Sequence, residues 1–249
     1  LYICYMISVI EVYRNLRDLC NKDQKGFVTP NVFNSFAGLA QQGIYNAMFA
    51  SLPQALGNRR KNVDAGRDKS TYKQLVEDMS YYLERSEIRS SGSAGLGLSF
   101  KKPNDLSKIV SISLDDDART SVEVLYDAEK ADRILNSNLS TPTNEFPVAL
   151  VSDDIEVFPD TVGTLLLSYY RQPRSTYATS VGSEYSQGDL DKNSTPEYNV
   201  LASLNIDVAD PINCKDFDLP EHYKNQLIQS MSSLIGVSLR DEFLIKTPQ

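Results

Sequence analysis

The hydrophobic period of this chain changes twice, and that double change limits the architectures open to it. In the N-terminal part, Val9, Val12, Tyr13, Leu16, Leu19 and Cys20 recur at helical spacing, as do Phe33, Phe36, Ala37, Ala40, Ile44, Met48 and Leu52. From about 100 to 212 the pattern becomes short β-rich runs, IVSISL, SVEVLY, FPVALV, IEVFP and TLLLSYYRQP, separated by Asp, Asn, Pro and Gly turns. Helical spacing then returns in FDLPEHYKNQLIQSMSSLIGVSLRDEF, where Tyr223, Leu227, Met231 and Leu234 share a face. A lone amphipathic helix must bury that face, and the N-terminal helices are the available partner. The expected fold is therefore α+β: an N-terminal helical hairpin or bundle, an inserted antiparallel β domain of sandwich type and a returning C-terminal helix. The expected divisions are 1–90, 100–212 and 213–249, with SSGSAGLGLS at 90–99 as a flexible connection and 174–199 as a long loop or mobile arm.

Local signals refine these elements. Ser8 and Glu11 have capping-box spacing, so the first helix is expected to start at about Ser8. Thr29 suits an N-cap and Pro30 the first helical position of the second helix, which should end near Pro53 and Gly57. A third helix is expected over about 70–88 from Tyr72, Leu75, Val76, Met79, Tyr82 and Leu83, after a Ser70 cap. DAEKADRILNSN, 127–138, reads as a helix among the strands, while Val122, Val124 and Tyr126, and likewise Leu165, Leu167 and Tyr169, alternate as core-facing strand positions.

Composition narrows the chemistry. With 25 basic and 33 acidic residues and a net charge of −8, the chain lacks the electrostatic footprint of a nucleic-acid binder. Cys4, Cys20 and Cys214 have no CxxC spacing and read as reduced thiols. The apolar start LYICYMISVI is too short to span a bilayer and has no cleavage signal, so no membrane role is expected; LYICY is read as preceding the functional start. His222 is the single histidine, which argues against a His-based triad or a multi-histidine metal site within one chain. GLGLS at 95–99 has the spacing of neither a nucleophile elbow nor a dinucleotide loop. Asp115, Asp116, Asp117, Asp153 and Asp154 lie between strand runs, where aspartates ordinarily bond to their own backbone. The reading is a protein with no catalytic, cofactor or metal residues; carboxylate-only catalysis at Asp116 or Asp154 is the enzymatic alternative.

One stretch invites a sharper test. In LCNKDQKGFVTPNVFNSF, residues 19–36, a calcium loop would use Asn21, Asp23, Lys25, the Phe27 carbonyl, Thr29 and Val32 as ligands, with Gly26 at the turn. A cation at the fifth position and a valine at the twelfth defeat that reading. The segment reads instead as a helical corner formed by Asn21, Asp23, Gly26, Thr29 and Pro30.

The run from Met6 to Phe49, with NKDQKGFVTP at its corner, resembles a family of virion structural proteins of tailed bacteriophages, known from crAss-like gut phages and marine podoviruses. Weaker similarity continues in NDLSKI, ILNSNLSTPTNEFPVAL, IEVFPDTVGTLLLSYYRQP and DLPEHYKNQLIQSMSSLIGV; the family often carries a tryptophan where this chain has Tyr177. The resemblance implies a ring or adaptor subunit of the portal-proximal neck or tail, assembled in the host bacterial cytoplasm. Its partners would be the portal and neighbouring ring or tail proteins. It also implies a homo-oligomeric ring such as a dodecamer, with the corner residues serving assembly. DNA would pass through the lumen without specific binding, which an acidic subunit suits. A peripheral phage adhesin or accessory β-sandwich binding module is the alternative.

Overall fold

The computed structural model describes residues 6–22, 28–60, 67–94, 97–116, 119–160, 163–174, 176–177, 195–200, 209 and 214–246. These form a mixed α and β structure with five α-helices and a large sheet. The chain divides into two compact units, one comprising Leu1–Asp78 and Pro173–Gln249, the other the continuous segment Met79–Gln172.

The continuous unit is built on a seven-stranded sheet. Its strands are β2 (Leu83–Ala94), β3 (Gly97–Phe100), β4 (Leu106–Leu114), β5 (Glu123–Leu125), β6 (Val148–Val151), β7 (Ile155–Phe158) and β8 (Thr164–Arg171), in the order β4-β8-β2-β3-β7-β6-β5. The two ends of that order meet: Ser113 bridges Ser121, Val122 N–H donates to Ile112 O at 3.0 Å, and Leu114 N–H donates to Thr120 O at 2.9 Å. The sheet thus curls toward a barrel where a two-layer sandwich was expected, and β5 and β6 run parallel in an otherwise antiparallel arrangement. Strand β2 makes the curl possible by pairing with β8 over Leu83–Arg89 and with β3 from Ser90, with a register irregularity at Ser90/Gly92. Inside lie Phe100, Ile112, Leu114, Val122, Ala149, Ile155, Val157, Leu165, Leu167 and Tyr169.

Several boundaries differ from the sequence expectation. Helix α3 (Arg67–Ser80) ends early because 83–89 are claimed by the backbone of β8, so the strand begins before the division expected at 90. The glycine-rich 90–99 stretch is strand on both described sides, rather than a flexible connection. A Cβ at Gly97 would lie 2.6 Å from Val157 O and 2.7 Å from the Phe158 ring, so that glycine serves close packing. In β5 it is Leu125 that is buried, packed with Ala131 and Val148 beneath helix α4 (Ala128–Leu135), while Tyr126 is exposed. Helix α4 is capped by Asp127, whose Oδ1 accepts from Glu129 N at 3.0 Å.

The discontinuous unit contains helices α1 (Val9–Lys22), α2 (Pro30–Arg60), α3 and α5 (Lys224–Lys246), and a small sheet in which β10 (Lys215–Pro220) lies between β1 (Met6–Ile7) and β9 (Thr176–Tyr177). Helix α5 packs against α2 and α1, burying Leu227, Met231 and Ile235, the last in place of the expected Leu234. Residues 218–220 are strand, and a 3-10 turn at Glu221–Tyr223 leads into α5. Helix α2 continues through Pro53. Most of the expected arm 174–199 lies outside the described residues, yet its end is core: Tyr198 stacks on Tyr13 with ring centroids 4.0 Å apart, and Phe33 meets both rings edge-on.

The Asn34 side chain on α2 holds that aromatic in place. Its Nδ2 donates to Tyr198 O at 3.0 Å and its Oδ1 accepts from Tyr198 N at 2.8 Å, so one amide satisfies both backbone groups of a buried residue. Replacing Asn34 with Ala strands both groups and is expected to cost about 2–3 kcal/mol in denaturant unfolding. Asn34→Asp should be nearly as damaging, because it places an acceptor opposite the carbonyl; unfolding midpoints equal to wild type would contradict this role.

Candidate functional site

Two regions present chemistry or surface beyond ordinary packing: the corner and clasp of the discontinuous unit, and one projecting loop of the continuous unit. At the corner, α1 runs through Asn21 to Lys22, while Asp23 and Gly26 lie outside the described residues. Thr29 caps α2: its Oγ1 accepts from Val32 N at 3.4 Å and its carbonyl from Phe33 N at 3.0 Å, and Pro30 is the first helical residue. Tyr13 Oη donates to Val28 O at 3.0 Å, tying the corner to the same aromatic that stacks on Tyr198.

The start of α1 is held by tertiary contacts. Val9 N–H donates to Asp216 Oδ1 on β10 at 2.8 Å, and Glu11, expected to close a capping box on Ser8, takes the ammonium of Lys224. Nearby in sequence, Asp78 Oδ2 accepts from Tyr223 Oη at 2.9 Å and lies 3.2 Å from His222 Nε2. Burial, followed by the Asp78 hydrogen bond and charge, pushes the Tyr223 phenol above its ordinary range. Asp78 thus clasps α3 to the turn before α5. The single histidine of the chain lies against one of its own carboxylates.

In the continuous unit the aspartates make turns. Asp116 Oδ1 accepts from Thr120 N at 2.9 Å and Oδ2 from Thr120 Oγ1 at 2.8 Å, and the Thr120 backbone bond, more than any other contact, holds the carboxyl below its usual range. Asp154 Oδ2 accepts from Ser99 Oγ at 3.0 Å, and Asp117 lies outside the described residues. Among the described residues no group of three or more His, Cys, Asp or Glu side chains converges as a metal site would. Tyr169 is buried, and its hydroxyl contacts Glu84 Oε2 at 3.3 Å and Asp105 Oδ1 at 3.2 Å. Burial first, and then the Glu84 charge, pushes that phenol up to about 12. Arg171 is ion-paired to Glu84 at 3.5 Å and lies 5.3 Å from the Tyr81 and Tyr82 ring centroids. This network joins β2, β8 and the Asp105 turn.

The projecting loop runs from Asn136 to Pro147, between α4 and β6. Leu139 is 99% exposed and Phe146 75% exposed. The loop is nevertheless fixed internally: Ser137 Oγ accepts from Leu139 N and Ser140 N, both at 3.2 Å, and Thr143 and Phe146 exchange backbone hydrogen bonds at 3.1 and 3.3 Å. Leu139 and Phe146 are thus two large apolar side chains exposed on a loop held by its own hydrogen bonds. Sequence reasoning passed over them because they sit among turn formers in NLSTPTNEFP and belong to no periodic stripe.

Comparison with known families and with curated proteins finds no match to this chain. No helix among the described residues is long and apolar enough to cross a membrane.

The Asp216 cap leads to a pH prediction. Burial raises its carboxyl from 3.8 to about 6, outweighing the Val9 N–H that favours the anion. The folded chain therefore holds this proton more tightly than the unfolded chain, so the residue's contribution is full below about pH 4 and is lost as pH rises through about 6. Asp216→Asn keeps an acceptor for Val9. It should remove on the order of 2–3 kcal/mol of pH dependence between those limits and melt higher than wild type at pH 7. Identical melting profiles against pH for the two proteins would refute the assignment.

Proposed function

We propose that this chain is a structural virion protein of a tailed bacteriophage, a ring or adaptor subunit of the portal-proximal neck or tail that acts by assembly rather than catalysis. The α1–α2 corner would form its N-terminal helical hairpin, with the β unit as an insertion, and copies would close into a ring through which DNA passes without specific binding. The observation that carries the reading is the loop holding Leu139 and Phe146 in solvent on its own hydrogen bonds. A rigid apolar projection costs solubility unless a partner covers it, and a neighbouring virion protein would do so repeatedly around a ring. The resemblance of the Met6–Phe49 run to neck and tail proteins supplies the setting.

Leu139→Glu and Phe146→Glu test this. Both side chains are solvent-exposed, so the isolated chain should melt as wild type does. Loss of a buried apolar anchor worth about 2 kcal/mol would weaken docking on the order of thirtyfold, read as the amount of the chain recovered in purified virions. Virions with normal content of both variants would remove this support. Cell or glycan binding by the isolated chain, lost in these variants, would favour the adhesin alternative instead.

A further inference from the structure

Helix α2 carries no Asp, Glu, Lys or Arg from Pro30 to Asn58. Charged residues make up 23% of the chain, so a helix with one face in water would ordinarily hold about seven in that length, mostly on the wet face. The wet face is well defined. Asn31, Ser35, Leu39, Gln42, Asn46 and Ala50 are exposed and fall on one stripe, opposite the buried Phe33, Ala37, Ile44 and Met48. Leu39, at its middle, is 62% exposed. Gln42 Nε2 donates to Asn46 Oδ1 at 3.2 Å, so two of its amides are already aligned along the stripe.

Resting on the ring reading above, we propose that this uncharged stripe of α2 is the surface on which a neighbouring copy of the chain docks. The charge balance selects that occupant. Each copy carries −8, so two copies repel wherever their acidic surfaces face each other. A basic partner would be met by carboxylates, and this face offers none. A surface free of both signs is where a like-charged molecule approaches at least cost, and small residues with aligned amides allow close helix packing. From Asn31 to Ala50 the stripe is about 29 Å long at about 1.5 Å per residue. A strip of that length and about 10 Å width is below the area of a standard stable interface. One such contact is therefore weak, and closure of a ring that repeats it holds the assembly.

The test is sedimentation of the full chain over a range of concentrations in low and high sodium chloride. The wild type should assemble, and more readily at high salt, because screening relieves the repulsion between acidic copies. Leu39→Glu and Asn46→Glu should each shift the assembly midpoint at least about tenfold to higher concentration, with melting of the monomer unchanged. Rings that persist in both variants overturn the proposal. So does assembly weakened by salt, which would mean an interface built on ion pairs. A lower melting temperature of the monomeric variants would show that the chain covers this face itself, and also overturns it. Rings lost in Leu139→Glu but retained in the α2 variants would move the contact to the β unit, overturning this inference while the ring reading stands. A wild type that stays monomeric at every concentration would count against both.

Discussion

The discontinuous unit depends on one amide. Asn34 occupies both backbone groups of Tyr198, and through Tyr198 it fixes the stack on Tyr13 and the pairing of Glu197 with Lys215 at the start of β10. Strand β10 then spreads the connection. Asp216 caps α1, and Asp218 N–H donates to the buried Gln41 of α2 at 2.9 Å. Buried polar groups are costly unless satisfied, so each of these bonds specifies which helix the returning strand must meet. Apolar burial alone would hold the helices together; the amide and carboxylates select the register.

This arrangement explains how one chain can carry a continuous β unit without giving up a helical core. Segments on either side of 79–172 are joined by α5 packing on α1 and α2, by β10 pairing with β1, and by the Asp78 clasp to Tyr223 and His222. The β unit has its own interior and closes its own sheet ends, leaving its α4–β6 loop to project. Each unit thus has a core of its own and a surface with a distinct character: uncharged on α2, apolar at Leu139 and Phe146.

Much of this was readable from local pattern. The α1 stripe apart from the exposed Leu19, the Thr29–Pro30 start of α2, the helix that follows Asp127 and the alternation of Leu165, Leu167 and Tyr169 are short-range signals with direct physical causes. What escaped was set by distant partners. Residues 83–89 look helical until β8 offers its backbone edge, and the Gly97 region looks like linker until the Phe158 ring is placed against it. Tyr198 is hidden in a polar stretch because its burial depends on Asn34, 164 residues away. The start of α2 was legible at Thr29 and Pro30, where the cap is local; Asp23 and Gly26 lie outside the described residues. The absence of charge along α2 is plain in the sequence, but its meaning emerges only when burial separates the wet face from the dry one.

The central claim is that many copies of this chain close around an axis in the particle. A cryo-EM reconstruction of virions assembled with the chain addresses it most directly. The account predicts a closed ring of copies between portal and tail, with the α2 stripe of each copy at the boundary with the next and the Leu139 loop seated on an adjoining component. Copies found only as peripheral assemblies on the particle surface, or a chain absent from the particle, would contradict it.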